Sequence, residues 1–343
     1  MVPAGRDYPV PVTLLPSDVV ELAVVERSGF IESRHLGAAV VLGPDGSVER
    51  ALGNVDAPVF PRSSLKPIQA AVSVALAETL TGRELGLATA SHSGTDAHVA
   101  VVEGMLAGGG LSSADLGCPP AVPGDAAARR AFVVAGHESD RIHMNCSGKH
   151  AAMLRACVAR GWPTAGYLDP GHQLQLAIAD LLGDVAGEPI AAVGVDGCGA
   201  PLFAVSLLGL ARAVRWATSD AAADEAELEH AAEHRAVAAV VREVLAHPWT
   251  IHGPGQENTI VAEELGVFAK GGAEGVLVLA VPNGHVVALK VLDGSPRATS
   301  LVGLELLAAA GAIGRADADR TEARLDLAVL GGGEPVGRIR ATV

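Results

Sequence analysis

Lysine and aromatic residues are scarce in this sequence of 343 residues. Aromatic residues make up 3% of the chain, and only four of its 25 basic residues are lysines: Lys66, Lys149, Lys270 and Lys290. A core must therefore be mostly aliphatic, and the apolar fraction of 49% is ample for a packed interior. Because arginine carries most of the positive charge, each lysine is a candidate for a task that needs a titratable amine.

Positive charge and long apolar runs are also in short supply. The formal net charge is −14, which disfavours nucleic acid and anionic membranes as partners because both require a cationic surface. No apolar run approaches the roughly 20 residues of a membrane span, and the first residues lack the basic-then-apolar order of a signal peptide. The four cysteines are too few for a disulfide scaffold of this size. We expect a cytoplasmic protein with neither a nucleic acid nor a membrane as partner.

Strand patterns occupy the two ends of the sequence. Apolar segments flank a Gly-Pro-Asp-Gly turn at 43–46 and an Asn-Gly turn at 283–284, and both arrangements predict β-hairpins. A further strand pattern, VGRIRATV, covers 336–343, and a short buried strand is predicted for AAVGV at 191–195.

Helical spacing of apolar residues characterises the middle of the sequence. It predicts helices over 66–81, 97–106, 149–160, 174–182, 201–218 and 224–248, with another over 299–310 after the second hairpin. The expected fold is α+β, with an antiparallel sheet from both chain ends and a large helical insertion. We divide the chain into an extension (1–20), a sheet region (21–60 with 267–343) and a mainly helical region (61–266), together one two-lobed catalytic unit.

Ser63 and Lys66 form an S-x-x-K motif in the segment FPRSSLKPIQA. If Ser64 caps the following helix, Pro67 falls in the first turn and Ser63 lies beside the positive end of the helix. A serine hydroxyl needs a base to become a nucleophile, and a lysine that is buried in a pocket can be that base. The alternative is that the serine pair only caps a helix.

Hydroxyl groups and two histidines cluster in the next motif, ATASHSGTDAHVA. Ser91 stands either in a loop that enters a pocket or in a turn that caps a helix at Thr95. His92 and His98 are six residues apart, a spacing that places them on neither one helical face nor one strand face. We interpret both histidines as ordinary polar residues.

Cys146 and Cys198 occur in polar turns, unlike most buried structural cysteines. Three interpretations stay open: an incomplete zinc site, a redox pair or disulfide, and two separate thiols. A zinc site would need further donors, for which His150, a neutral Lys149 or water are candidates. Farther along, Lys270 precedes a glycine pair at the entrance to the second hairpin, where it either binds a substrate carboxylate or is a solvated loop lysine.

Six motifs in order give this chain a family resemblance. They are RSSLKP at 62–67, ASHSG at 90–94, NCSGKHA at 145–151, DGCGAP at 196–201, AKGGAEG at 269–275 and KVLDGSPRA at 290–298. Together they resemble the bacterial asparaginase II family of the thermolabile or rhizobial type, from ERSGFIESRH at 26–35 to GEPVGRIR at 333–340. The resemblance implies a serine β-lactamase-like fold, related in architecture to serine-type glutaminases, and a homodimer.

The resemblance also implies roles for residues within these motifs. It makes Ser63 the nucleophile and Lys66 its base, with Ser91 and Lys270 as a second catalytic pair. It implies one zinc ion per subunit, held by Cys146, Lys149 and Cys198. Asp196 would contact the substrate, and Lys270, Arg62 and Asn145 are our further candidates for substrate binding.

The reaction expected from this resemblance is hydrolysis of L-asparagine to L-aspartate and ammonia through a serine acyl-enzyme. Two departures concern the substrate: Gln256 stands where the family has arginine, and the segment GCPPAVP at 117–123 is altered. A glutaminase or another small-amide hydrolase is the first alternative. A β-lactamase is disfavoured because neither S-D-N nor K-[ST]-G occurs. The second alternative is an inactive, zinc-stabilised binding protein.

Overall fold

The computed structural model describes residues 13–219 and 229–343. The predicted extension over 1–20 and the predicted helix over 224–248 therefore lie partly outside the described residues. Within these ranges the strands are β1 Val20–Arg27, β2 Phe30–Leu42, β3 Val48–Leu52, β4 Pro58–Val59, β5 Ala192–Val195, β6 Pro201–Ser206, β7 Phe268–Gly272, β8 Val276–Ala280, β9 Val286–Val291, β10 Ala328–Gly331 and β11 Glu334–Ala341.

The main sheet takes its strands from both ends of the described chain. Its order is β10-β11-β1-β2-β9-β8-β7, with β3 paired to β2, and every pairing is antiparallel. The two predicted hairpins are confirmed as β2–β3 and β8–β9, whose turns contain Gly46 (φ +83°) and Gly284 (φ +97°). The last predicted strand is β11, which pairs with β1 so that Ala23 lies opposite Ala341.

Helices fill the interval between the two groups of strands, as the sequence predicts. The described helices are α1 Lys66–Ala77, α2 Arg83–Ala88, α3 Asp96–Ala107, α4 Ala126–Val134, α5 Ser147–Arg160, α6 Gln173–Ala186, α7 Leu207–Thr218, α8 Ala231–Ala246, α9 Glu257–Leu265, α10 Thr299–Ala309 and α11 Arg315–Glu322. The expected α+β fold is thus confirmed. Among the described helices, none combines the length and the apolar character that crossing a membrane requires.

The prediction of one helix over 201–218 is wrong in its first third. Residues 201–206 form β6, which lies between β4 and β5 in a small second sheet, and α7 begins only at Leu207. All six residues of β6 are buried, so its sequence shows neither the two-residue polar alternation of a strand nor the 3.6-residue period of a helix. The Ser206 hydroxyl accepts the Gly209 N–H at 2.8 Å and so marks the start of α7. The strand predicted at 191–195 exists as β5, but it is not buried, because Val195 is 70% exposed.

Both faces of the main sheet are covered, which gives the protein two hydrophobic cores. Along β8, Val276, Val278 and Ala280 face the helical insertion, whereas Leu277 and Leu279 face α10 on the other side. A strand buried on both faces has a continuous apolar sequence, as VLVLA does here. The edge strand β7 lies where the sheet meets the helical insertion, and the candidate site is built there.

Candidate active site

Ser63 lies in a 3-10 turn, Arg62–Leu65, that continues directly into α1. The prediction that Ser64 caps this helix is wrong, because its buried hydroxyl donates to the Pro61 carbonyl at 2.7 Å. The backbone N–H of Lys66 donates to the Ser63 carbonyl, so the S-x-x-K segment is one continuous helical turn. Ser63 is half-buried beside the amino end of α1, where backbone N–H groups favour a developing negative charge.

Strand β7 approaches this turn more closely than a side chain would allow. A Cβ atom on Gly272 would lie 2.5 Å from the Pro61 carbonyl oxygen and 3.3 Å from the Ser64 nitrogen. Glycine at this position therefore lets the backbone of β7 lie against the serine turn. Lys270, two residues earlier, projects from the same face of the strand as Gly272.

Two lysines converge on the hydroxyl of Ser91. Lys66 Nζ donates to Ser91 Oγ at 2.9 Å and also to the Ala90 carbonyl, while Lys270 Nζ donates to Ser91 Oγ at 2.8 Å and to the Gly271 carbonyl at 2.9 Å. Both lysines are fully buried. The structure thus brings together three of the four predicted catalytic residues by direct hydrogen bonds, whereas proton transfer from Ser63 to Lys66 stays a prediction.

Lys270 differs from a solvated loop lysine, one of its two interpretations from sequence. It lies inside β7, and burial, followed by the charge of Lys66, holds its pKa well below the usual 10.5. An amine with a lowered pKa is neutral at a lower pH and can then accept a proton. Ser91 therefore has a candidate base on one side.

The three predicted zinc ligands lie together at the start of α5. Cys146 precedes the helix, Lys149 is in its first turn, and Cys198 stands in the turn between β5 and β6. All three are buried, and Lys149 Nζ lies 3.1 Å from Cys198 Sγ. The four cysteines of the chain are free thiols in the structure, and Cys157 packs in the core as expected.

Charge separation characterises this cluster. A hydrogen bond from the Cys198 thiol lowers the pKa of Cys146 well below its usual value, against the effect of burial. Burial opposes protonation of Lys149, but attraction to the negative charge that the Cys198 and Cys146 sulfurs share outweighs it and raises the lysine pKa. Two buried sulfur donors and one nitrogen donor, of which Lys149 Nζ and Cys198 Sγ are 3.1 Å apart, suit zinc, provided that Lys149 loses its proton. The residues present therefore fit the implied metal.

Asp196 connects the thiol cluster to the serine turn. Its Oδ1 atom accepts a hydrogen bond from Arg62 Nε at 2.8 Å, and its Oδ2 atom lies 3.3 Å from Cys198 Sγ. Burial opposes ionisation of Asp196, but Lys149 and Arg62 outweigh it and lower the carboxyl pKa. Asn145 lies at the other side of the cluster, with its Oδ1 atom 3.1 Å from Cys146 Sγ. Two of the candidate substrate-binding residues, Asp196 and Asn145, thus contact the thiols directly, and Arg62 contacts Asp196.

His92 and His98, interpreted from the sequence as ordinary polar residues, are neighbours in the structure. Their rings stack with centroids 5.1 Å apart and planes 18° from parallel, and both side chains are buried. The chain reverses at Gly94 (φ +69°) and Thr95 precedes α3, so a spacing of six residues brings the rings together. Linear spacing carries no signal of this reversal beyond the glycine itself.

Gln256, the departure noted in the sequence, precedes α9 and is half-buried. The segment before it reaches the serine loop, because the Ser93 N–H donates to the His252 carbonyl at 2.7 Å and the Ser91 N–H donates to the Ile251 carbonyl at 2.9 Å. This contact makes His252, which sequence reasoning missed, a neighbour of the site. Burial, with the charge of Lys270, lowers the pKa of His252 to about 4.

The Ser91 hydroxyl is bonded to two buried amines, one of which, Lys66, follows Ser63 in a single helical turn, and these are groups that can activate a hydroxyl for acyl transfer. The sequence model of the family described as L-asparaginase II matches residues 23–341. The chain therefore belongs to the L-asparaginase II family, a family of amidohydrolases.

Solved structures that match the chain are distant. The native form of Mglu has 13% identity and a TM-score of 0.44, and the match covers 81% of this chain and 65% of that chain. A Bacillus glutaminase has 11% identity and a TM-score of 0.42, and the match covers 80% of this chain and 90% of that chain. A β-lactamase from Mycobacterium bovis has 11% identity and a TM-score of 0.35, and the match covers 80% of this chain and 94% of that chain. Among curated protein sequences, none matches the chain.

Proposed function

We propose that this protein hydrolyses the side-chain amide of L-asparagine to L-aspartate and ammonia through a serine acyl-enzyme. The observation that carries the proposal is the convergence of Lys66 and Lys270 on Ser91, beside the turn that holds Ser63. Membership of the L-asparaginase II family supports the reaction class.

In the first step, the Ser63 hydroxyl adds to the amide carbon while Lys66 takes its proton. Lys66 follows Ser63 in the same helical turn, and its amine also contacts Ser91. The amide oxygen becomes negative and is stabilised by backbone N–H groups that include that of Ser63, in the turn that continues into α1. The proton that Lys66 has taken is then relayed through the Ser91 hydroxyl to the amide nitrogen, and the tetrahedral intermediate releases that nitrogen as ammonia.

In the second step, water adds to the acyl-enzyme and the Ser63 oxygen leaves with a proton. Protons pass between Lys66 and Lys270 in the direction opposite to that of the first step, because the Ser91 hydroxyl can accept a proton from one amine as it donates its own to the other. The lowered pKa of Lys270 supports this role, since only a neutral amine can accept a proton. L-Aspartate and the starting protonation states result.

Charged ends of the amino acid need partners of opposite sign. Asp196, whose carboxyl pKa is lowered, is the candidate for the α-ammonium group. We assign the α-carboxylate to Arg62 rather than to Lys270, because the Lys270 amine is engaged with Ser91 and is a weak counter-ion when neutral. Asn145 completes the polar lining as a hydrogen-bond partner.

Zinc, if bound, would be held by Cys146, Lys149 and Cys198 and would supply Lewis acidity next to Asp196. The chain's own contribution there is to hold Asp196 between Arg62 and the thiols. A homodimeric assembly and a cytoplasmic location, both expected from the sequence, stay predictions.

The test is ammonia release from L-asparagine and from L-glutamine by the wild-type protein and by Ser63→Ala, with zinc supplied. We expect the variant to lose about 10³-fold or more of the activity, because removal of a nucleophile leaves only binding and electrostatic effects. Ser64→Ala is the matched control and should stay active, since within the described residues the hydrogen bond of this neighbouring hydroxyl goes to the Pro61 carbonyl.

Unchanged turnover in Ser63→Ala would refute the covalent mechanism. Faster release from glutamine than from asparagine would favour the glutaminase alternative, in line with the substitution at Gln256. No release from either amide by folded, zinc-supplied protein would refute the proposed reaction and favour a binding function.

A further inference from the structure

A buried hydrogen-bond chain joins the Ser91 loop to the start of α5. The backbone N–H of Gly94 donates to His92 Nδ1 at 3.1 Å, so the ring proton is on Nε2. His92 Nε2 then donates to Ser147 Oγ at 2.8 Å, and the Ser147 hydroxyl donates to the Ile142 carbonyl at 2.7 Å. Each donor in the chain has one acceptor, so the direction of every bond is determined.

The two segments that His92 connects carry different parts of the candidate site. Ser91, which precedes His92 in the chain, accepts hydrogen bonds from the two lysine amines. Ser147 follows Cys146 and is two residues before Lys149. A second bond joins the same segments, because the His92 N–H donates to the Asn145 carbonyl at 3.0 Å. Elsewhere, the loop is tied by backbone bonds to 251–252.

The surroundings of His92 keep it neutral and fixed. It is 1% exposed and its ring stacks on His98, whose Nε2 donates to the Trp249 carbonyl at 3.0 Å and whose Nδ1 accepts the Thr95 N–H at 3.3 Å. Burial and the neighbouring His98 lower the pKa of His92, so both rings stay neutral in one tautomer each. A buried ring that is stacked on one face and hydrogen-bonded at both nitrogens has little freedom to move.

We propose that His92 is a positioning residue, which through Ser147 fixes the Ser91 loop against the start of α5. It acts on the reaction proposed above by keeping the Ser91 hydroxyl between its two lysines at a set distance from Asn145 and Cys146. The side chain itself does not contact the reacting atoms. The inference rests on the proposed function only for its effect on turnover.

The experiment compares His92→Phe, which keeps the ring and removes both nitrogens, with His92→Gln, whose amide can still donate to Ser147. A shift of about 1 Å in a catalytic group can cost about 10²-fold in rate, so we expect kcat of His92→Phe to fall by that factor with KM nearly unchanged. His92→Gln should recover most of the rate. Ser147→Ala should match His92→Phe, and the double variant should be no worse than either single variant, because both remove one link.

His234→Phe is the matched control, because this histidine of α8 is also buried but contacts Trp216 and Ser219 at the end of α7. It should lose stability and keep kcat. Equal loss of kcat in His92→Phe and His92→Gln, or additive losses in the double variant, would overturn the proposal.

Hydrogen exchange of the backbone amides separates this proposal from the proposed function. In His92→Phe, amides of both 91–94 and 145–149 should exchange faster, while those of α8 should not. If the wild-type protein hydrolyses neither amide, the proposed function fails and the exchange pattern alone decides. Faster exchange confined to 91–94 would then refute the coupling.

Discussion

Replacing Lys270 by methionine tests the role of the buried amine most directly. Methionine has a similar length and no charge, and it loses two hydrogen bonds, to the Ser91 hydroxyl and the Gly271 carbonyl. Each bond is worth about 1 kcal/mol net, so the loss is at most about 2 kcal/mol. Removal of a buried amine offsets part of this loss, because an amine is costly to bury. Activity, in contrast, should fall by about 10²- to 10⁴-fold, the usual contribution of a base.

The pH dependence of this variant has a definite sign. The pKa of Lys270 is below 10.5 in the native state because of burial, and it is at its usual value in the unfolded chain. Between these two pKa values the unfolded chain binds a proton that the native state does not, so wild-type stability rises with pH in that window. Lys270→Met lacks this contribution. The free energy of unfolding of the wild type, minus that of the variant, should therefore increase from neutral pH to about pH 10.

Urea unfolding at neutral and at alkaline pH, together with ammonia release, measures both effects. Lys290→Met on β9, which β8 separates from β7 in the sheet, is the activity control, since the hydrogen bonds of the Lys290 amine within the described residues go to the carbonyls of Glu274 and Val291. Substantial activity in Lys270→Met would refute the role of this amine as a base. A stability difference that falls as the pH rises would refute the assigned depression of its pKa.

Three further predictions concern the shape of the site and its implied metal. Gly272→Ala should lower activity and destabilise the fold by about 1–3 kcal/mol, because the new Cβ would meet the Pro61 carbonyl; kinetics and thermal unfolding measure this. Tyr167→Phe removes a hydroxyl that accepts the Gly117 N–H at 2.9 Å, and denaturant unfolding should show a loss of about 1–3 kcal/mol. Added zinc should raise the melting temperature more at pH 8 than at pH 6, because Lys149 must release a proton to bind it, and Lys149→Met should abolish the shift.

Local patterns predict the hairpins because their turns depend on nearby residues. The Asp45 side chain accepts the Ser47 N–H at 2.9 Å, and a glycine with positive φ follows it, so the turn is encoded within five residues. The helix wrongly predicted over 201–206 shows the opposite case. There the chain is buried on all sides, and only its pairing with β4 and β5 determines that it is a strand.

The candidate site likewise combines contacts that neighbouring residues encode with contacts that only tertiary packing makes. Ser63 and Lys66 are three residues apart, so their spacing alone indicates a shared helical turn. Ser91 and Lys270 are 179 residues apart, and only the family resemblance pairs them before the structure does. The link from His92 to Ser147 spans 55 residues and belongs to no motif that spacing could reveal. Contacts of this kind follow from tertiary packing and are invisible to periodicity.

The pairing of β1 and β2 with β9 and β11 determines when a growing chain can become active. The first strands leave the ribosome early, but their partners follow more than 200 residues later, and Lys270 is made after the whole helical insertion. Contacts of such high sequence separation form slowly, so the face of the nascent helices that packs against the sheet stays exposed until the later strands are made. An incomplete chain therefore holds Ser63, Lys66 and Ser91 without the second amine, so the proposed reaction requires that synthesis has passed β7.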